Sequence, residues 1–527
     1  MSIFNPSLVS LLRGLLVAAL IGSVGCLAGC GGPGSAVDRP AGSALWVSAQ
    51  APPVGLEGVA DAAAKLADQG LNIPQVSALA RAGVGEIFVE AATLEWDGAS
   101  PRLLQHRLPA MPLRTSASLV VRGAWASSVE RAEENAQALE RELVSLAFRA
   151  EDEGLIVQGF HLELAAPGAP EEMLESLAAT LALLRKGLTG QRYLSVGLQA
   201  PWLELETLPA LADTVDLLVP WLYGNRPRHP RRDEAWDLAV VDAALERMEA
   251  LETPYLVGVV TLNTIEHLSR RGEVLGRRTD GNLSRLALHP RLDLESGFVL
   301  LGLDCRRYDF RVEAPTRLGD WRLGIGERVR VQGLSYEYLR ELRRRLSARD
   351  LEYWQGQLYF RRPTAEEELT PSVEVLTAAL SPTEEDPRLE VEVVPVVTEG
   401  DRLRVRLVLR NPTVRTSELI FLDANHLDLD VSGAVILSAE PGDFQRYQLL
   451  RADARGELSV SLRQAHLLRL FRPILEPGAE VSTGDIVLRR TSGPLELMPR
   501  ASFLLPDGSP LESRAQVWNP ESQPSEP

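Results

Sequence analysis

The sequence predicts an α/β fold, a closed (β/α)8 barrel, followed by a C-terminal antiparallel β-sandwich of the immunoglobulin or fibronectin type. Three observations lead to this prediction. The 527 residues exceed the length of one ordinary domain. From residue 44 to about 325, short apolar segments alternate with amphipathic ones, which indicates a parallel sheet covered by helices. After residue 387 apolar residues recur with a period of two, as in antiparallel strands.

The barrel prediction depends on eight apolar segments of strand length, because eight β-α units close a parallel barrel. The segments are ALWVSAQ (44–50), GEIFVEA (85–91), ASLVVRG (117–123), IVQGFHLEL (156–164), YLSVGLQA (193–200), VDLLVPWLYG (215–224), YLVGVVTLN (255–263) and GFVLLGLD (297–304). An open, doubly wound sheet is the alternative. No glycine-rich dinucleotide motif follows the first segment, which weakens that alternative.

Helices are predicted between several of these strands. Residues 127–154 open on a serine cap and end at a glycine. Residues 170–187 begin with proline and two acidic residues and end with Lys-Gly, as the helix dipole favours. Residues 235–252 carry apolar side chains at helical spacing. These helices would cover the parallel sheet.

The segments between residues 326 and 385 allow more than one interpretation. The basic amphipathic stretch LSYEYLRELRRRLSARDL is interpreted as the last barrel helix. EYWQGQLYFRRP is interpreted as a short hairpin and TPSVEVLTAAL as another helix.

For the whole chain, we predict a signal peptide at 1–29, a flexible tether at 30–43, the barrel and its extension at 44–385, the β-sandwich at 387–490 and a partly disordered tail at 491–527.

The N-terminus predicts export and a lipid anchor. The apolar run from Leu15 to Leu27 follows Arg13. It is shorter than the roughly 20 residues of a membrane span and suits a secretory h-region. Its end, Leu-Ala-Gly-Cys30, resembles a bacterial lipobox, which implies diacylation of Cys30 and attachment to a membrane surface. An uncleaved anchor is the alternative. Because Gly31 lacks the aspartate of an inner-membrane retention signal, we expect the outer membrane.

Composition excludes several function classes. A formal charge of −17 argues against nucleic acid, since phosphate binding needs concentrated positive charge. After processing only Cys30 and Cys305 remain, so no internal disulfide is expected, and Cys305 is expected in the core. The seven histidines form no HxH or HExxH pair, so no metal is predicted. No Gly-x-Ser-x-Gly elbow occurs, and no cofactor is expected.

Alternation along the strands places polar and aromatic side chains at one rim of the barrel. In a strand, every second side chain faces the lumen, and active sites of such barrels lie at the C-terminal ends of the strands. This phase predicts a lumen lined by Trp46, Ser48, Gln50, Glu90, Arg122, His161, Glu163, Ser195, Gln199, Trp221, Tyr223, Thr261, Asn263 and Asp304. The alternative is a packed lumen that holds a few satisfied polar groups.

A pocket of this composition suits carbohydrate. Aromatic faces stack on sugar rings, and charged planar groups bind hydroxyls. Glycoside hydrolysis normally needs two carboxylates that flank the bond. The candidates are Glu90, Glu163, Asp304 and the post-strand Glu204 and Glu206. The ligand-binding candidates are Trp46, Arg122, His161, Gln199, Trp221, Tyr223 and Asn263.

The fourth strand resembles the signature of family 18 chitinases, Asp-Gly-hydrophobic-Asp-hydrophobic-Asp-x-Glu-x-Pro. Aligned without gaps, residues 158–167 read Gln-Gly-Phe-His-Leu-Glu-Leu-Ala-Ala-Pro. LVVRGAW is similar to the Ser-x-Gly-Gly strand of that family. VDLLVPWLYGN is similar to its Met-x-Tyr-Asp strand, with Tyr223 retained and Gly224 in place of the aspartate. GFVLLGLD resembles the final strand, with Leu301 where a tryptophan is expected. The resemblance covers about residues 44–310.

The resemblance implies that the family's general acid is lost. Ala165 stands where the family keeps its acidic glutamate, and His161 and Glu163 replace the two supporting aspartates. In that family the substrate's acetamido group acts as the nucleophile, so the missing proton donor makes chitinase activity by this mechanism unlikely to survive. His161 is interpreted as a buried lumen histidine bonded to Glu163 rather than a base.

Two hypotheses follow. The first is an envelope lipoprotein whose barrel binds a glycan, an envelope polysaccharide or a protein, or is structural, without catalysis. The second is an active glycoside hydrolase that uses Glu163 with Glu90 or Asp304. The basic loop NRPRHPRR (225–232) is either a solvated loop or a receptor for anionic glycans.

Overall fold

The computed structural model describes most of the chain after residue 41. The described residues are 42–48, 70–98, 100–165, 170–188, 192–223, 238–261, 263–298, 306–334, 336–363, 367, 369–381, 388–421, 423–452, 457–461, 464–491, 493–506, 508–514 and 516–519. The chain divides into two units, 1–38 and 39–527, and every described residue belongs to the second. The predicted signal peptide and Cys30 therefore lie outside the described residues. Within the described part, no helix has the length and apolar character that a membrane span requires.

Eight parallel strands close into a barrel, which confirms the predicted (β/α)8 fold. Each barrel strand pairs with the next along the chain, and the last pairs with the first through Leu358 opposite Ala44. The barrel strands are β1 (Ser43–Val47), β2 (Val84–Asp97), β4 (Ser116–Ala124), β5 (Ile156–Ala165), β6 (Tyr193–Gln199), β7 (Leu217–Tyr223), β8 (Tyr255–Val260) and β16 (Trp354–Phe360). The additional β3 (Ser100–Gln105) pairs antiparallel with the distal half of β2.

The identity of the eighth strand corrects the sequence prediction. β16 is the segment interpreted from sequence as a hairpin, and it pairs in parallel with β8 and β1. The segment predicted as the eighth strand instead begins in β11 (Leu292–Phe298), which is antiparallel to its neighbour. Asp304 and Cys305 follow it and lie outside the described residues. The physical reason is an insertion after β8 that interrupts the β-α alternation, so a count of apolar segments reaches eight too early.

Helices cover the barrel strands on the outside. They are α1 (Ile73–Arg81), α2 (Ala132–Asp152), α3 (Pro170–Gly187), α4 (Leu208–Ala212), α5 (Leu238–Glu249), α7 (Tyr336–Ser347) and α8 (Val373–Leu380), whereas α6 (Leu283–Ala287) lies in the segment inserted after β8. Turns of 3-10 helix lie at Val129–Arg131, at Ala200–Glu204 and, in the C-terminal part, at Leu419–Phe421. The basic helix α7 precedes the eighth strand. The last barrel helix is therefore α8, which contacts both α7 and α1 and so completes the ring.

Local sequence explains where these helices begin and which face they bury. Asn72 caps α1: its side-chain oxygen accepts a hydrogen bond from Gln75 N, and Oε1 of Gln75 accepts one from Asn72 N. In α2 the buried leucines Leu139, Leu143 and Leu146 recur at three and four residues and face the sheet. Burying each leucine contributes about 1.5–3 kcal/mol, so the amphipathic spacing fixes the orientation of the helix.

The insertion between β8 and α7 forms a separate antiparallel sheet. Its strand order is β10-β9-β15-β12-β11, with β9 (Thr264–Leu268), β10 (Val274–Arg278), β12 (Arg306–Val312) and β15 (Arg328–Gly333). A small hairpin of two strands, β13 (Thr316–Leu318) and β14 (Trp321–Leu323), lies between β12 and β15 in the sequence. The apolar face carries Tyr308, Phe310 and Val329 and packs in one cluster with Leu419 and Ile474 of the C-terminal part.

The C-terminal part is built mainly of antiparallel strands around its own apolar core, as predicted for a β-sandwich, and its first and last strands pair in parallel. The strands are β17 (Arg388–Glu399), β18 (Arg402–Arg410), β19 (His426–Ser432), β20 (Ala434–Ala439), β21 (Arg446–Ala452), β22 (Leu458–Val460), β23 (Leu467–Phe471), β24 (Glu480–Ser482), β25 (Ile486–Arg490), β26 (Glu496–Leu504) and β27 (Pro510–Ser513). The last two belong to residues assigned to the tail. β26 alternates buried and exposed residues and pairs along β19, so the sheet continues past residue 490.

Candidate ligand site at the barrel mouth

The lumen side chains of β5 follow from strand alternation. Phe160, Leu162 and Leu164 belong to the core beneath the helices. His161 and Glu163 lie on the opposite face, which is the lumen, near the C-terminal end of the strand. The barrel mouth is therefore lined by side chains two residues apart on neighbouring strands.

Glu163 is held at the mouth by two ring nitrogens. The indole Nε1–H of Trp221 donates to Glu163 Oε2 at 2.7 Å, and Nε2 of His161 lies 3.3 Å from the same oxygen. His161 is fully buried, and its Nδ1 lies 3.0 Å from Ser195 Oγ. The Glu163 side chain remains 21% exposed, so the carboxylate closes the lumen while part of it faces solvent.

Two glycines make room for this arrangement. A Cβ at position 197 would lie 2.8 Å from Cδ of Glu163 and 3.1 Å from Nε1 of Trp221. A Cβ at position 258 would lie 2.8 Å from Cδ2 and Cζ3 of Trp221. Both glycines stand where a lumen side chain would otherwise project, and their absence of side chains lets the Glu163–Trp221 pair fill the lumen.

Glu90 ends a second chain of polar contacts. Trp46 Nε1–H donates to Ser48 Oγ at 3.1 Å, and Ser48 Oγ–H donates to Glu90 Oε2 at 2.7 Å. The other oxygen of Glu90 lies 3.5 Å from Nη1 of Arg122. The Glu90 side chain is 14% exposed and that of Arg122 is 48% exposed, so the chain runs from a buried indole to a guanidinium in solvent.

The aromatic side chains mainly pack against one another. Trp46 contacts Phe360 at a ring-centroid distance of 4.9 Å and Trp221 at 6.1 Å, and Trp221 contacts Phe360 at 5.8 Å. Trp46 is fully buried and Trp221 is 8% exposed. Rings buried to this extent support the carboxylates and offer little face to a sugar. Phe360 is half-buried, and the Arg122 guanidinium lies 5.9 Å above its ring.

Below the mouth, a second polar cluster fills the lumen. Ser118 Oγ–H donates to Glu86 Oε1 at 2.5 Å, and the Tyr193 hydroxyl also donates to this oxygen. All three residues are almost completely buried. A carboxylate this deep contacts no solvent, so Glu86 stabilises the packed floor of the barrel rather than meeting a ligand.

Several predicted site residues lie elsewhere. Asn263 is buried away from the lumen, where its Oδ1 accepts from Leu334 N at 2.8 Å. Thr261 donates to the backbone oxygen of Arg361, because position 258 faces the lumen and position 261 has the opposite phase. Gln199 ends β6 half-buried.

The remaining candidates are not described in full. Gln50, Asp304 and the loop 225–232 lie outside the described residues. For Tyr223 only the backbone is described, as the last residue of β7. Glu204 closes the 3-10 turn that follows β6 and is exposed.

Phe360 is the site residue that sequence reasoning missed. It belongs to the strand that was interpreted as a hairpin, so the alternation of side chains in a barrel strand was not applied to it. The available signal was the order helix, then apolar segment, then helix across residues 336–380, which repeats the β-α pattern of the earlier barrel units.

Ala165 occupies the rim position at which the resemblance places a general acid. It is the last residue of β5, on the lumen phase set by His161 and Glu163, and it is exposed. Its carbonyl accepts from Trp125 N at 3.1 Å, which fixes the backbone there. The methyl group supplies no proton.

A cavity of about 780 Å³ lies apart from the mouth, between α7, α8 and the β-sandwich. Two of the arginines that line it have partners: Arg415 lies 3.3 Å from Glu337, and Arg410 pairs with Glu392 at 2.8 Å. Within the described residues, no group of three or more His, Cys, Asp or Glu side chains is arranged to hold a metal ion.

No protein-family model matches the sequence, and no curated protein matches it either. Among solved structures, the chain is similar to a chitinase from Chromobacterium violaceum, at 14% identity over 64% of this chain and 98% of that one, with a TM-score of 0.39. It is similar to the spore cortex-lytic enzyme SleL of Bacillus cereus, at 12% identity over 65% and 74%, with a TM-score of 0.42.

A third similar structure is the chitinase-like agglutinin of Robinia pseudoacacia, at 11% identity over 64% of this chain and 99% of that one, with a TM-score of 0.38. Chitinases and a chitinase-like protein are thus among the similar structures. At these identities and TM-scores they indicate nothing about activity. The (β/α)8 barrel is established by the strand pairing of this chain itself.

Proposed function

We propose that the chain is a lipid-anchored envelope protein that binds a glycan at the barrel mouth and does not hydrolyse it by the family 18 mechanism. Ala165 is the observation that carries this proposal. It presents an exposed methyl group at the rim where a chitinase of that family keeps its acid. General acid catalysis contributes about 10²–10⁴-fold to such a reaction, so its loss is severe.

Glu163, the carboxylate nearest to Ala165 in the sequence, does not occupy the position of the missing acid. Glu163 lies two residues earlier on β5, and its Oε2 accepts from Trp221 and lies near His161. These contacts hold the carboxylate against the lumen wall. Binding of sugar hydroxyls is supported by the partly exposed carboxylates of Glu163 and Glu90 and by the exposed guanidinium of Arg122.

An active glycoside hydrolase that uses Glu163 with Glu90 is the second candidate. One observation favours it: both carboxylates face the same lumen and both keep some exposure to solvent, at 21% and 14%. Two such groups are the minimum for acid-base work on a glycosidic bond. Asp304, the other predicted partner, lies outside the described residues.

Parallel binding and hydrolysis assays on Glu163→Gln decide between these functions. We expect the full-length protein in mild detergent to bind members of a glycan array and to release no reducing sugar from them. Glu163→Gln should weaken binding by about tenfold, as for the loss of a hydrogen bond to a charged group. Glu133→Gln, on the exposed face of α2, is the matched control and should bind normally.

Sugar release by the unchanged protein that disappears in Glu163→Gln, and not in Glu133→Gln, would establish the hydrolase instead. Absence of binding to every glycan would contradict both functions.

The lipid anchor is proposed from the lipobox-like end of the signal sequence at Cys30. We expect cells fed a palmitate analogue to label the protein, and Cys30→Ala to abolish the label because diacylation needs the thiol. Cys26→Ala, four residues earlier, is the matched control and should keep the label. Membrane fractionation should recover the protein with the outer membrane. Labelling that survives Cys30→Ala would contradict this anchor.

A further inference from the structure

Arg122 is the most exposed of the charged groups described at the barrel mouth, and side chains of the lumen contact its guanidinium. The chain Trp46, Ser48, Glu90 ends on its Nη1. Phe360 supports the guanidinium from one face at 5.9 Å. The ion pair with Glu90 and the Phe360 ring restrict the positions of the head group, so the arginine loses less rotamer freedom when it binds a ligand.

The donors of Arg122 are largely unused. A guanidinium carries five N–H donors. Its contacts with described residues are the ion pair with Glu90 at 3.5 Å and the Phe360 ring, and no hydrogen bond joins it to another described side chain. With 48% of the side chain exposed, N–H groups of the guanidinium are open to solvent at the mouth.

We propose that Arg122 recognises a carboxylate carried by the bound sugar, so that the ligand is an acidic glycan. This inference rests on the proposed glycan binding and names the class of glycan. The planar guanidinium fork matches a carboxylate bidentately, with two parallel N–H···O bonds. Neutral sugar hydroxyls use single donors and would leave the fork unmatched.

The charge of the mouth favours a carboxylate over a phosphate. Glu90 and Glu163 contribute −2 and Arg122 contributes +1, which leaves −1 among these groups when His161 is neutral. A monoanion is repelled less by this charge than a phosphate that carries nearly two charges. Glu90 keeps its bond from Ser48, and Glu163 keeps its bond from Trp221, when the exposed donors of Arg122 bind the ligand.

The test compares acidic oligosaccharides with their own methyl esters, which keep the ring and remove the charge. The probes are a glucuronate oligosaccharide, a muramic-acid oligosaccharide and a phosphorylated sugar, titrated calorimetrically into the full-length protein. We expect at least one carboxylate probe to bind about tenfold tighter than its ester, the gain from a charge-assisted bond. Arg122→Gln should remove this difference, so that each acid binds only as tightly as its own ester.

Two further variants sharpen the result. Arg122→Lys keeps the charge without the fork and should retain only part of the difference. Arg141→Gln, exposed on α2, is the matched control and should retain all of it. Thermal unfolding verifies that each variant folds.

Equal affinity for acid and ester, a difference that persists in Arg122→Gln, or a preference confined to the phosphorylated sugar would overturn the inference. If esters and acids bind alike, glycan binding stands and only its acidic specificity fails. If no sugar binds, the proposed function falls, and this inference with it.

Discussion

Glu367→Ala is expected to lower the free energy of unfolding by about 3–5 kcal/mol, the cost of leaving one member of a buried ion pair without its partner. Arg361 and Glu367 make two hydrogen bonds, Nη1 to Oε2 at 2.9 Å and Nη2 to Oε1 at 2.8 Å. Their side chains are only 10% and 2% exposed. Urea titration followed by tryptophan fluorescence measures the change.

The reason for so large an effect is the place of the pair in the fold. Arg361 directly follows Phe360, which packs on Trp46 at the mouth. Glu367 also accepts from Thr279 Oγ1 at 2.8 Å, so the pair joins the end of the eighth barrel strand to the inserted segment. Loss of the carboxylate therefore loosens the mouth as well as the insertion.

Two comparisons separate the buried charge from a general loss of contacts. Glu341→Ala removes a carboxylate on α7 that pairs with Arg344 and Arg345 at a more exposed position, and it should cost less than about 1 kcal/mol. The double variant Arg361→Met with Glu367→Leu leaves no buried charge and should be more stable than Glu367→Ala. A cost for Glu367→Ala no greater than that for Glu341→Ala would contradict the assignment.

Strand alternation predicted the mouth from sequence wherever a strand was assigned correctly. His161, Glu163, Arg122 and Glu90 belong to the second, third and fourth barrel strands, which the sequence had assigned as strands. A period of two then decides which side chains face the lumen. Alternation carries no information on burial, which is why Trp46 and Trp221 were predicted to meet the ligand and are instead packed together.

The prediction failed where local patterns do not record tertiary pairing. The segment GFVLLGLD (297–304) is as apolar as the barrel strands, and only the antiparallel pairing of its first residues in β11 distinguishes it from them. Phe360 was missed for this reason, and Asn263 was placed in the lumen although its phase and its partner Leu334 lie outside. The buried pair Arg361–Glu367 was equally invisible, since two charges six residues apart show no sign of burial.

Gly258→Ala is expected to displace the Trp221 ring and to destabilise the protein by about 1–3 kcal/mol, the usual cost of overpacking a filled core. The new Cβ would lie 2.8 Å from two ring carbons of Trp221, which is well inside van der Waals contact. Because the same indole donates to Glu163, its movement also releases that carboxylate, and glycan binding should weaken together with stability.

A double-mutant cycle on positions 258 and 221 tests the steric contact more directly than the single variant does. Combining Gly258→Ala with Trp221→Phe shortens the ring that the new methyl group meets. The double variant should therefore lose less stability than the sum of the two single variants, by an interaction energy of about 0.5–3 kcal/mol. Gly324→Ala is the matched control, since its Cβ would meet Glu327 at an ordinary 3.4 Å or more and should change little. Strictly additive losses would show that Gly258 does not make room for the ring, and the fixed position of Glu163 would then need another cause.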